Sequence, residues 1–108
     1  MTIAEIADKC DAGKIKWTAH ALERIEERGI ERTDIISCIK NGKIIEQYPE
    51  AYPYPACLIL GKINSADDKS LATPVHVVLG HGNGYIWVIT AYKPNEIEWS
   101  NDFSARKE

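Results

Sequence analysis

Helices followed by an antiparallel sheet, packed as one α+β domain, is the fold class this sequence predicts. Up to Asn41 the apolar residues recur three and four positions apart, the helical period. From Ile44 onward they alternate or run continuously between prolines, glycines and asparagines, the pattern of strands and turns. The chain has 108 residues, enough for one domain with one modest core. Residues 1–108 are therefore read as a single domain, with a core over about 16–99 and a polar C-terminal tail.

Thr2 and Glu5 make a capping box, in which the Thr2 hydroxyl accepts from the Glu5 amide. Ile3, Ile6, Ala7 and Cys10 follow on one helical face, and Gly13 is the stop. Thr18 is the N-cap candidate of a second helix with the stripe Ala21, Leu22 and Ile25. Gly29 ends it, and Ile30 returns to the core. A third helix runs from Glu31 or Arg32 to Lys40. Asp34 sits near its positive end, and Ile35, Ile36 and Ile39 point inward.

Four strands are expected next: Ile44 to Tyr48, Ala56 to Ile63, Pro74 to Gly80 and Tyr85 to Tyr92. Pro49, Pro53 and Pro55 keep the intervening YPEAYPYP out of a central strand, because proline has no amide to donate. Asn64 to Ser70 reads as a polar loop, and His81-Gly82-Asn83-Gly84 as a tight hairpin turn. Strict alternation in the last strand puts Tyr85, Trp87, Ile89 and Ala91 on one face. Ile86, Val88, Thr90 and Tyr92 take the other. Helices cover one face, so Val88 and Tyr92 stay exposed unless the C-terminal segment or a partner covers them. The 94–99 stretch is expected to form a turn or one short helix that drops Trp99 onto that surface, and the tail around Phe103 to fray.

Composition narrows the function classes. With 44% hydrophobic and 27% charged residues the chain is globular in type rather than disordered. No apolar run reaches the roughly 20 residues that cross a bilayer, and no signal peptide is visible, so no membrane role is expected. Three cysteines without close spacing argue against a disulfide scaffold and against a CxxC zinc site, and fit the cytoplasm. The three histidines show no ligand spacing, so no metal or other cofactor is expected. A net charge of -3 argues against strong nonspecific nucleic-acid binding and leaves room for a local basic cleft.

Chemistry is most concentrated at His20, Arg24 and Arg28, four apart and so on one ridge of the second helix, at the border of its apolar stripe. Arginine forks match phosphate oxygens, and histidine exchanges protons near neutral pH. The interleaved Glu23, Glu26 and Glu27 allow the plainer reading of a solvated, salt-bridged face. His76 lies inside an apolar strand, where its ring must be hydrogen-bonded or face a cleft. Lys62 comes near it if the two strands pair. Tyr92 and Lys93 end the last strand, where a tyrosine can stack on a base or donate to a phosphate.

The runs HALERIEERGI at 20–30, NGKIIEQYP at 41–49, YPYPACLILG at 52–61, PVHVVLG at 74–80 and ITAYKP at 89–94, with Trp99, Asp102 and Phe103 beyond, resemble the DUF4258 family over about residues 16–103. That family is placed near the RelE/ParE-like toxins, small α+β domains of which many cut mRNA and are held in check by an antitoxin protein. The resemblance implies that His20, Arg24 and Arg28 form the family's helix motif, and that His76 and Tyr92 are family-pattern positions. The function expected is a toxin-like, metal-independent RNA endonuclease acting on RNA or at the ribosome. In it His20 or His76 serves as base or acid, and Tyr92 orients a base or phosphate. Arg24 and Arg28, with Lys62 and Lys93, hold the phosphate. The alternative is a noncatalytic interaction domain docking through the aromatic sheet face and YPEAYPYP, with a homodimer as one use of an exposed sheet.

Overall fold

A computed structural model describes residues 2–64, 72–95, 98–100 and 102–106. Among them the order is α1 (Ile3–Asp11), β1 (Ile15–Trp17), α2 (Ala19–Glu27), α3 (Arg32–Asn41), β2 (Lys43–Tyr48), β3 (Ala56–Asn64), β4 (Ala72–Gly82) and β5 (Tyr85–Tyr92). Apart from Asn64, which ends β3, the expected polar loop of 64–70 lies outside the described residues, as do two positions of the 94–99 stretch.

Each helix begins where its cap chemistry allows. The Thr2 hydroxyl accepts from the Glu5 amide at 3.2 Å. Thr18 accepts from the Ala21 amide at 3.0 Å and donates to the Val88 carbonyl at 3.1 Å, fastening the start of α2 to β5. At α3 the Glu31 amide donates to Asp34 at 3.0 Å. Gly29 takes a positive φ of 67° so that the Ile30 amide can reach back to the Ile25 carbonyl at 2.9 Å, which buries Ile30.

The sheet has five strands in the order β1-β5-β4-β3-β2. This corrects the expected four-stranded antiparallel sheet: β1 is a fifth strand and pairs parallel to β5, from Ile15 opposite Ile86 to Trp17 opposite Val88. Three residues are too few to show alternation, and their partner lies about seventy residues away. The other pairings are antiparallel. The β4–β5 hairpin turns on Asn83 and Gly84, both at positive φ.

All three helices pack on one face. Ile6, Ala21, Ile25, Ile35, Cys38 and Ile39 meet Cys57, Ile59, Val75, Val77, Leu79, Ile86, Val88 and Ala91 there. Gly61 lets α3 approach β3, since a Cβ would strike Cys38. Val88 is thus buried under the helices rather than exposed beside Tyr92. The opposite face is covered in part by the C-terminal segment, which does not fray as far as Arg106. Trp99 is 2% exposed and bridges to Arg106, and the Ser100 amide donates to the Ala105 carbonyl at 2.8 Å.

Candidate functional site at the end of the last strand

A β-bulge decides which side chains meet. Near the hairpin Gly82 is opposite Tyr85 and Leu79 opposite Val88, but Val78 is opposite Thr90, so Ile89 is an extra residue in β5. With uninterrupted register Ala91 would stand opposite His76. The bulge puts Tyr92 there instead and moves Tyr92 from the helix side to the face that carries Tyr85 and Trp87. The strict alternation expected for β5 fails at this point for the same reason.

His76 is completely buried, and both its ring nitrogens have partners. Nε2 lies 2.8 Å from the Phe103 carbonyl, and Nδ1 lies 3.3 Å from the Tyr92 hydroxyl. A carbonyl can only accept, so Nε2 carries the proton and Nδ1 accepts from Tyr92. Trp99 packs nearly perpendicular to the ring, with centroids 4.3 Å apart. Burial is the main reason that the His76 pKa falls below 6.5, opposed by the hydrogen bond to Phe103 and by Glu46. Burial likewise pushes the Tyr92 phenol up from 10, so it stays protonated at neutral pH.

Arg28 arrives from the end of α2. Its Nη1 donates to the Ala91 carbonyl at 2.7 Å and stands 3.4 Å from the Thr90 hydroxyl. β1 pairs only with residues 86–88, so the end of β5 is an open edge on that side, and Arg28 occupies it. Beneath the C-terminal segment lies a second polar group. Arg106 grips Glu46 at 3.0 Å, its guanidinium covers the Trp99 ring at 4.6 Å, and the Tyr48 hydroxyl donates to Glu46. Burial works against ionising Glu46, but the bonds from Tyr48 and Arg106 hold its pKa below the usual carboxylate value.

The seven candidates from sequence therefore separate. Tyr92 and His76 touch, and Arg28 is tied to Thr90 and Ala91, the two residues before Tyr92. His20 is exposed in the first turn of α2, about 12 Å of helix rise from Arg28. Arg24 is spent on Glu27, with Nη1 at 3.0 and 3.2 Å from its two oxygens. Lys93 is exposed just beyond Tyr92. Lys62 is exposed opposite Pro74, two residues along β3 from Leu60, the residue that faces His76. Sequence reasoning passed over Glu46, Tyr48, Phe103 and Arg106 as site residues. The i, i+2 spacing of Glu46 and Tyr48 was the one local signal, since it sets both on one face of a strand.

A family model described as a domain of unknown function, DUF4258, matches residues 17–93, and the chain belongs to that family. Neither the curated proteins nor the solved structures contain a match.

Proposed function

We propose that this DUF4258 domain is a toxin-like, RelE/ParE-like RNA endonuclease that works without metal and is held in check by an antitoxin protein, with Tyr92, His76 and Arg28 as its reactive centre. The observation that carries the reading is the contact between the Tyr92 hydroxyl and the unprotonated Nδ1 of His76, with a guanidinium on the same strand end. A buried histidine needs no direct access to substrate if a partly exposed tyrosine stands between them. The 2′-hydroxyl proton passes to the Tyr92 oxygen as the Tyr92 proton passes to Nδ1. The 2′-oxygen bonds to phosphorus, the bond from phosphorus to the 5′-oxygen breaks, and solvent protonates that oxygen. The products are a 2′,3′-cyclic phosphate and a 5′-hydroxyl. Arg28 meets the charge on the pentacoordinate phosphorus, as preorganised donors do. The lowered pKa of His76 keeps the base neutral at pH 7. His20 lies too far along α2 to share one phosphate with Arg28, so in this reading it holds a neighbouring one, with Arg24 between. The antitoxin rests on the resemblance to toxins.

A second reading, a noncatalytic interaction domain, is favoured by one observation: His76 is sealed beneath Trp99 and Phe103. Metal-free cleavage of a labelled mixed-sequence RNA, with ribosomes added in a parallel reaction, separates the two. Cleavage by wild type that drops at least a hundredfold in Tyr92→Phe and in Arg28→Gln is expected of the nuclease. No cleavage under either condition moves the assignment to the interaction domain.

A further inference from the structure

The helix-free face of the sheet holds a second feature at the opposite end of β5. A cavity of about 350 Å³ lies between Tyr54, Pro53, Trp87 and Ile89, with Gly80 as its floor and Thr18 at its lip. That volume is within the range of small-ligand sites. Its aromatic walls are held in place. The Trp87 indole donates to the Gly82 carbonyl at 3.0 Å, and the Tyr54 hydroxyl accepts from Asn83 at 3.0 Å. Tyr54 and Trp87 stack at 5.9 Å with 27° between their planes. Glycine is required beneath them. A Cβ on Gly82 would strike the Tyr54 ring, and one on Gly80 would reach 3.3 Å from Ile89 and fill the floor.

Charge lies beside the rings. Lys16 is opposite Trp87 in the β1–β5 register, so Lys16, Trp87 and Gly80 form one row across three strands. Lys16 is exposed, and its ammonium sits 4.7 Å from the centre of the Tyr85 ring. Rigid flat rings over an open floor, with a lysine on the neighbouring strand, suit a planar heterocycle that carries a phosphate. An aliphatic side chain of a protein partner would use the rings and bring no anion to Lys16.

We infer that this cavity is a nucleobase subsite for single-stranded RNA, with one base stacking on the Tyr54–Trp87 pair and Lys16 meeting its phosphate. The inference rests on the RNA reading above, but it is read out by binding alone. The Tyr92→Phe protein, ¹⁵N-labelled, is titrated with an eight-nucleotide mixed-sequence RNA, and the indole resonance of Trp87 is followed, with Trp17 as reference. The expected result is a saturable shift of Trp87 and none of Trp17. Tyr54→Leu should weaken binding about tenfold, the effect of losing one stacking partner. Lys16→Gln, a surface change that leaves folding intact, should lower the slope of log affinity against log salt by about 0.7. RNA that binds without moving Trp87, or with the same affinity to both variants, overturns the subsite and leaves the nuclease reading standing. RNA that is cut by wild type and shifts Trp87 supports both. A Trp87 shift without any cleavage supports the subsite and refutes the nuclease.

Discussion

Replacing Trp99 by alanine tests how the helix-free face is held. Trp99 is 2% exposed, packs perpendicular to His76, and has the Arg106 guanidinium over its ring. Burying an indole removes roughly 200 Å² from water, worth about 5 kcal/mol at about 25 cal/mol per Å². Alanine keeps a little of that. Partial collapse of the segment into the gap offsets some of the rest, so the expected loss is about 3 kcal/mol, the low end for a buried tryptophan. With a urea slope of about 1.5 kcal/mol per M, the midpoint should fall by about 2 M. A second readout is specific to the site: water reaching His76 should raise its pKa toward 6.5, followed by NMR of the ring Cε1–H against pH. A loss under about 1 kcal/mol together with unchanged His76 titration would refute the reasoning, because Trp99 would then cover nothing that matters.

Other perturbations follow from the same contacts. His76 has a lowered pKa in the folded chain, so the unfolded chain binds more protons. Stability should be fully present above pH about 6.5 and decline as the pH falls through the lowered folded value; His76→Gln should flatten this part of the urea midpoint profile. Glu46→Gln should cost no more than about 1 kcal/mol, because the Arg106 end of the ion pair is 58% exposed; thermal unfolding will show whether it exceeds that. Gly61→Ala should destabilise by about 1–3 kcal/mol, since the new methyl meets Cys38 at the α3–β3 contact; a neutral result in urea would mean that α3 can shift. Cys38 and Cys57 are buried, with pKa pushed up to about 11, so native iodoacetamide labelling should spare both and reach only Cys10, counted by mass.

Much of the first half of the chain was legible because its signals are local. Thr2, Thr18 and Gly29 each act within one turn of the helix they start or stop, and the Asn83-Gly84 turn fixes its hairpin by backbone conformation alone. What escaped depends on distance. β1 forms only because β5 offers it an edge, which three residues cannot announce. The bulge at Ile89 leaves the apolar-polar pattern of β5 unchanged in sequence while reversing the faces beyond it. It therefore hid the meeting of Tyr92 with His76, although both residues stood out separately. Trp99 was expected on the exposed face and is found there. Phe103 looked like a lone apolar residue in a polar tail, since its contribution to the site is a carbonyl, which every residue has. Arg24 and Arg28 share a ridge, yet only the last of them reaches β5; the other is taken by Glu27, one of the alternative partners that the interleaved acids had signalled.

Single-turnover cleavage of a labelled RNA by the metal-free protein, measured from pH 5 to 8.5, reaches the central claim most directly. The Tyr92–His76 relay predicts a rate that rises with pH through a midpoint below 6.5 and then levels off, with the rising limb lost in His76→Gln. A rate that keeps the same pH dependence in His76→Gln, or no cleavage at any pH, would contradict it.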